Sequence, residues 1–144
     1  MPTHRSLTAI SSLLFALGLC ACSETQDNTY PSFAAAIDAG AVSRGWVPEW
    51  LPQNTGKIFE VHNLDTNHFM VHFLFTQHTN PSLPMSCKSV APTTPPPPPF
   101  SRKWWPADVP ASGYATHRHA YFQCESEYVA VSPALGEGYV WSAK

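Results

Sequence analysis

Apolar and polar positions alternate most clearly in residues 68–75. The odd-numbered positions carry four aromatic or aliphatic side chains, Phe69, Val71, Phe73 and Phe75. The even-numbered positions carry His68, Met70, His72 and Leu74. Because successive side chains of a strand point to opposite faces, this pattern predicts a strand with one buried face. Residues 57–63 alternate as well, and the turn-forming stretch 64–67 between the two runs predicts an antiparallel hairpin.

Further elements flank this hairpin. Three further short runs, 117–124, 128–132 and 139–142, predict a C-terminal meander of three strands. Upstream, after a proline that suits the first turn of a helix, apolar residues recur at helical spacing, namely Phe33, Ala36, Ile37 and Ala41. The predicted fold class is therefore α+β, with one short N-terminal helix packed on a small antiparallel sheet in a single domain over residues 30–144.

Between the hairpin and the meander, residues 91–106 form a predicted Pro-rich loop. The run Pro95 to Pro99 favours an extended polyproline II conformation. We interpret the loop as a stiff surface excursion, and the alternative is a docking segment for an aromatic-lined groove. Trp104 and Trp105 follow the prolines. Adjacent tryptophans next to proline are typical of a cover over the edge of a small core, and the alternative is a stacking platform for a glycan such as peptidoglycan.

The N-terminus has the layout of an export signal. Arg5 precedes a mostly apolar segment over residues 7–19, which is too short and too interrupted to span a bilayer. The sequence LCAC at residues 19–22 resembles the lipobox of bacterial lipoprotein precursors. The resemblance implies that residues 1–21 are removed as a signal peptide and that Cys22 becomes an acylated N-terminus. The alternative is an ordinary signal peptide, with Cys22 left as a free thiol.

Acylation of Cys22 would attach the chain to a membrane without a transmembrane helix. One acyl chain gives only marginal membrane binding, whereas bacterial lipoproteins carry two or three. Ser23 rather than Asp follows the cysteine, and by the same resemblance this favours the periplasmic face of the outer membrane. The next residues are polar and include no aliphatic side chain, so residues 22–29 are predicted to form a flexible tether.

Two further cysteines, Cys87 and Cys124, remain in the expected mature chain. In an oxidising compartment an even pair is expected to form a disulfide. A redox-active pair would need a feature that lowers a thiol pKa, such as Cys-x-x-Cys spacing, and the sequence lacks one. We therefore predict a structural disulfide between these two residues.

Histidines supply the candidate chemistry. His68 and His72 share a predicted strand face with Met70, and His117 and His119 share a face of another predicted strand. If the two faces were adjacent, the imidazoles and the thioether would suit copper or zinc. None of these spacings is a recognised metal signature. The prediction is therefore no cofactor, with copper or zinc binding by these five residues as the alternative.

Composition and motifs narrow the function. The chain has 144 residues and a net charge of -2, and its eight Lys and Arg residues are scattered, which argues against nucleic-acid binding. No Gly-x-Ser-x-Gly, phosphate-binding glycine loop or His-Glu-x-x-His motif is present, so no enzymatic activity is predicted. The expected function is a structural or interaction module of the cell envelope. Its expected partners are the membrane, through Cys22, and an envelope protein or peptidoglycan; a periplasmic copper- or zinc-binding protein is the alternative.

A second resemblance covers residues 30–75. The stretches YPSFAAAIDAGAVSRGWVPEWLP, which begins at Tyr30, and NLDTNHFMVHFLF, which ends at Phe75, are similar to segments of small exported proteins of Gram-negative bacteria. This resemblance implies export and carries no activity with it.

Overall fold

Seven strands and one short helix make up the part of the protein that the computed structural model describes, residues 24–110 and 118–143. The elements in chain order are β1 (Thr25–Tyr30), α1 (Phe33–Asp38), β2 (Ile58–Asn63), β3 (Phe69–Leu74), β4 (Cys87–Val90), β5 (Ala120–Cys124), β6 (Glu127–Ser132) and β7 (Glu137–Ser142). All neighbouring strands are antiparallel, in the order β1-β2-β3-β7-β6-β5-β4. The β3–β7 pair joins the predicted hairpin to the predicted meander, so the two form one continuous sheet.

The predicted α+β class is wrong, because the described fold is nearly all-β: it is one seven-stranded antiparallel sheet, and only 5% of the residues are helical. Helix α1 has six residues and is capped by Ser32, whose Oγ accepts a hydrogen bond from the backbone N–H of Ala35 at 3.2 Å. Gly40, at φ +74°, then turns the chain away from the helix. Ala41 continues the helical spacing and is buried, but it lies in a turn and not in the helix. The apolar spacing from which the helix was predicted therefore extends beyond the end of the helix at Asp38.

Residues 25–29, predicted to belong to the flexible tether, form β1 together with Tyr30, and this strand pairs along its whole length with β2. Hydrogen bonds and an ion pair to neighbouring residues, rather than burial, hold the polar side chains of this strand. Asn28 Nδ2 donates to Glu60 Oε2 at 2.8 Å, and the Asp27 carboxylate accepts two hydrogen bonds from Arg102 at 2.5 and 2.9 Å. A strand held by polar contacts lacks the apolar alternation from which strands are predicted.

Some predicted features lie outside the described residues. These are the signal peptide over residues 1–21, the acylation site Cys22, and His117. Within the described part, no helix has the length and apolar character needed to cross a membrane.

A disulfide joins Cys87 to Cys124, as predicted. It links β4 to β5 at a point where the two residues lie directly opposite each other in the sheet. Strand β4 itself was not predicted, because it has four residues and none of them is fully buried. The disulfide therefore fixes a short edge strand that has little apolar burial of its own.

Both faces of the sheet are covered by other parts of the chain. The face toward α1, here called the helix face, buries Ile58, Val71, Phe73, Val129 and Val140. The opposite face, here called the loop face, buries Val61, Met70, Ala130, Tyr139 and Trp141. Phe100 and the two adjacent tryptophans of the Pro-rich segment pack against that second cluster. A strand that is buried on both faces carries apolar residues at successive positions rather than at every second position, as β3 does.

The Pro-rich loop is a covering layer rather than an excursion away from the sheet. Trp141 Nε1 donates to the carbonyl oxygen of Pro96 at 3.1 Å, so the buried indole N–H of β7 is satisfied by the proline run. Proline lacks a backbone N–H but keeps its carbonyl, which makes it an acceptor. The Arg102–Asp27 ion pair ties the end of the loop to β1.

Candidate functional site

Each face of the sheet carries buried histidine close to a glutamate. On the helix face, Glu60 and His62 of β2 are 0% and 1% exposed, and we call them the Glu60–His62 pair. On the loop face, His72 of β3 and His119 approach Glu137 of β7, and we call these three residues the His72 cluster. Buried ionisable groups with a charged partner occur at functional sites and in polar parts of protein cores. The two groups are therefore the candidate sites.

Hydrogen bonds satisfy both carboxylate oxygens of Glu60. His62 Nδ1 lies 2.6 Å from Oε1, and its N–H donates there when Glu60 is ionised; Asn28 Nδ2 donates to Oε2 at 2.8 Å. Burial raises the pKa of Glu60, while these two hydrogen bonds oppose the rise. The pair thus places a carboxylate where its charge is costly and gives it two donors that offset the cost.

Trp46 covers the imidazole of His62. The two ring centroids lie 3.6 Å apart with an interplanar angle of 13°, and the Arg44 guanidinium carbon lies 4.9 Å from the Trp46 ring centroid. His62 Nε2 is buried without a hydrogen-bond partner. A carboxylate–imidazole pair has the composition of a general base, but a general base must be within reach of a substrate proton. The burial of both residues makes the Glu60–His62 pair a polar element of the core in this conformation.

The His72 cluster joins strands β3 and β7 to His119, the residue that precedes β5. His119 Nε2 lies 3.2 Å from Glu137 Oε1, within hydrogen-bonding distance, whereas His72 Nε2 lies 3.7 Å from Glu137 Oε2, beyond it. The His72 ring is stacked between Tyr139, at 4.5 Å between centroids, and Phe59, at 5.6 Å. Both ring nitrogens of His72 are buried without a hydrogen-bond partner. His72 is therefore held as an aromatic ring rather than as a hydrogen-bonding group.

Burial of His72 has a consequence for stability at low pH. Burial lowers the pKa of His72, and this exceeds the opposing effect of Glu137. The unfolded chain therefore takes up the proton first as the pH falls below about 6.5, the ordinary histidine value. The stabilisation from neutral His72 is present above that value and is lost as the pH falls through the window below it.

We expect His72→Phe to leave the free energy of unfolding at pH 7 unchanged or to raise it. Phenylalanine keeps the ring between Tyr139 and Phe59 and removes two unpartnered polar atoms. The variant should also lose less stability than the wild type between neutral and mildly acidic pH. Urea unfolding at the two pH values measures both effects.

The control for this prediction is His68→Gln, which changes a less buried histidine in the turn before β3. It should keep the pH dependence of the wild type. A His72→Phe protein that is much less stable at pH 7, and that loses stability on acidification as the wild type does, would contradict the role assigned to burial of His72.

The structure brings together two of the five residues predicted as metal ligands. His72 and His119 approach one carboxylate, Glu137, which the sequence did not single out. Met70 packs in the apolar cluster of the loop face, and His68 lies in the turn before β3. In residues 24–110 and 118–143, no group of three or more His, Cys, Asp or Glu side chains is arranged to hold a metal ion. Copper or zinc binding by the five residues stays the alternative hypothesis.

The adjacent tryptophans both pack on the loop face. Trp104 stacks on Phe59 with 5.9 Å between centroids and an interplanar angle of 21°. Trp105 lies edge-on to Trp141 at 5.5 Å, and its Nε1 donates to the carbonyl oxygen of Val109 at 2.6 Å. The rings therefore cover the core, which is the interpretation that the sequence favoured over a free stacking platform.

A groove of about 770 Å³ lies on the Pro-rich loop. Its lining includes Pro97, Phe100, Arg102, Trp105 and Val109. The arginine in this lining is ion-paired with Asp27 and the indole N–H is already bonded, so the groove offers mainly apolar surface. Such a groove has the composition of a binding surface rather than of a catalytic site.

Comparison with known proteins gives one match. A family model described as the YbbD head domain matches residues 24–74, roughly a third of the chain. The matched segment spans β1, α1, β2 and β3, and so includes the whole Glu60–His62 pair and His72. No curated protein and no solved structure matches the chain. The chain is thus similar, over its first three strands, to an exported bacterial protein family of unclear function.

Proposed function

We propose that the protein is a lipid-anchored interaction module of the bacterial cell envelope without catalytic activity. In this proposal the chain is exported, cleaved before Cys22 and acylated on that cysteine, and it resides on the periplasmic face of the outer membrane. Two or three acyl chains would hold it stably there.

The position of the family match carries the proposal. The match to an exported family begins at residue 24, and β1 begins at Thr25, while the lipobox-like sequence ends at Cys22. A folded unit that starts directly after the modified cysteine is the arrangement expected of a lipoprotein cleaved at that point. An ordinary signal peptide would need no cysteine at this boundary.

Interaction is favoured over catalysis because the ionisable groups of the core are inaccessible. Glu60 and His62 are both buried, with Trp46 stacked on the His62 ring, and His72 is covered by aromatic rings on both sides. We propose another envelope protein as the partner rather than peptidoglycan. The tryptophans that could stack on a glycan pack against the sheet instead.

We expect Cys22→Ala to move the exported protein from the membrane fraction to the soluble fraction of a Gram-negative host. The reason is that the substitution removes the only residue that the lipobox resemblance makes an acylation site. Fractionation followed by detection of the chain measures the effect.

Cys20→Ala is the matched control, since it changes the neighbouring cysteine that cleavage would remove. It should leave the protein in the membrane fraction. Retention of the Cys22→Ala protein in the membrane, or release of both variants alike, would contradict acylation at Cys22.

A further inference from the structure

The start of β1 is tied to the tip of the β2–β3 hairpin. The backbone N–H of Leu64 donates to the carbonyl oxygen of Glu24 at 2.8 Å, which continues the β1–β2 pairing to the first described residue. Asn63 Nδ2 also donates to Thr25 Oγ1 at 3.2 Å. The chain therefore enters the sheet at Thr25, with Glu24 already hydrogen-bonded to the hairpin tip, and residues 24–29 are not the flexible tether that was predicted.

The hairpin tip is itself well ordered by one side chain. Asn63 Oδ1 accepts hydrogen bonds from the backbone N–H groups of Asp65 and Thr66, at 3.0 and 2.8 Å, and from the Thr66 hydroxyl at 3.0 Å. An asparagine that caps a turn in this way fixes the turn backbone. Leu64, at the tip, is 48% exposed although it is a large aliphatic residue.

Chain length then limits how far this tip can lie from Cys22. A chain spans at most about 3.6 Å per residue, so the two residues from Cys22 to Glu24 span at most about 7 Å. The headgroup layer on each side of a bilayer is roughly 5–7 Å thick. A cysteine whose acyl chains enter the hydrocarbon therefore keeps the tip at the depth of the headgroups.

From this we propose that the β2–β3 turn, with Leu64 at its tip, is a membrane-contacting surface that lies in the headgroup layer of the bilayer that holds Cys22. The inference rests on the proposed acylation of Cys22. Strands of six residues are about 20 Å long, so the β6–β7 turn at the opposite end of the sheet stands that far from the bilayer. The protein is then fixed in orientation rather than free to swing on a tether.

The acyl chains, not charge, would hold the turn there. Glu24 and Asp65 flank Leu64, and the hydrogen bond and the negative charge of Asp65 raise the pKa of Glu24. Acidic residues are not attracted to anionic lipid. Contact of the turn with the membrane should therefore not weaken as salt is raised, unlike contact made by basic residues.

The test uses nitroxide labels on the full-length lipoprotein in vesicles of phosphatidylethanolamine and phosphatidylglycerol. One label is attached in Leu64→Cys and the matched label in Leu135→Cys, because Leu135 is 39% exposed in the turn at the opposite end of the sheet. Collision rates are measured with oxygen, which concentrates in lipid, and with a water-soluble nickel chelate. We expect the label at position 64 to collide severalfold more with oxygen and severalfold less with nickel than the label at position 135.

A linker insertion supplies the geometric control. A Gly/Ser insertion of about sixteen residues between Ser23 and Glu24 has a mean length of about 20 Å, and it should abolish the difference between the two labels. Equal collision rates at the two positions without the insertion would overturn the inference. So would a label at position 64 that is shielded from both reagents, since a protein partner rather than lipid would then cover the turn.

The parent chain separates failure of this inference from failure of the proposed function. With Cys87 and Cys124 in a disulfide, an acylated parent has no free thiol and takes up no label. A parent that is labelled at Cys22 is not acylated, and both the anchoring and the orientation are then wrong. A parent that stays unlabelled, combined with equal collision rates at positions 64 and 135, rejects the orientation alone.

Discussion

Replacing Glu60 by alanine is expected to lower the free energy of unfolding by about 3–5 kcal/mol. The substitution leaves His62 buried with neither ring nitrogen hydrogen-bonded, since Nε2 already lacks a partner. It also leaves a cavity in a part of the helix face where the side chain is 0% exposed. Urea unfolding at neutral pH, followed by tryptophan fluorescence, measures the loss.

A second variant separates the lost pair from the lost volume. Glu60→Leu combined with His62→Phe replaces both polar groups by apolar groups and keeps a ring beneath Trp46. Its free energy of unfolding should lie within about 1 kcal/mol of the wild type, because a buried pair replaced as a whole costs little. Asp65→Ala, an exposed acidic residue nearby on the hairpin, should be nearly neutral. A Glu60→Ala protein as stable as Asp65→Ala would show that the buried pair is not integral to the core.

Removing the disulfide by Cys87→Ala together with Cys124→Ala is expected to cost about 2–4 kcal/mol. The two cysteines are 37 residues apart in the chain, and joining them restricts the unfolded chain over that loop. The loss should be local as well as global. Strand β4 has a single neighbour, β5, and is only partly buried, so it should open most readily once the disulfide is gone.

Two measurements check this prediction. Urea unfolding gives the loss of stability, and hydrogen exchange at the backbone N–H groups of Lys88, Ser89 and Val90 reports the opening of β4. The wild type under reducing conditions should behave like the double variant. Unchanged stability, together with unchanged exchange in β4, would mean that strand pairing alone holds this edge.

Strands were predicted correctly where the alternation of apolar residues reflects their burial. The runs at 57–63 and 68–75 correspond to β2 and β3, because Phe69, Val71 and Phe73 face the helix side of the sheet. Strands β1 and β4 were missed because side-chain hydrogen bonds and a disulfide hold them instead of apolar burial. The length of the helix was overestimated, because the chain leaves the helix at Gly40 although the apolar spacing continues beyond it.

The candidate sites were harder to predict because each depends on residues that are distant in sequence. Glu60 and His62 alternate with Phe59 and Val61. In a sheet that is covered on one face only, this alternation predicts that Glu60 and His62 face the solvent. The Trp-containing segment at residues 46–50 covers that side, and only the fold shows that it does so. On the loop face, Glu137 meets His72 and His119 through the pairing of β3 with β7, a pairing that no local pattern predicts.

In the proposed function, Cys22 is the acylated first residue of a mature, disulfide-linked chain. The most direct test is the intact mass of the protein extracted in mild detergent from the membranes of a Gram-negative host, measured without reducing agent. We expect the mass of a chain that begins at Cys22, carries two or three acyl chains, and is two hydrogens lighter than the reduced form because Cys87 and Cys124 are joined. A mass without acyl chains, or one that begins at any other residue, would contradict the claim.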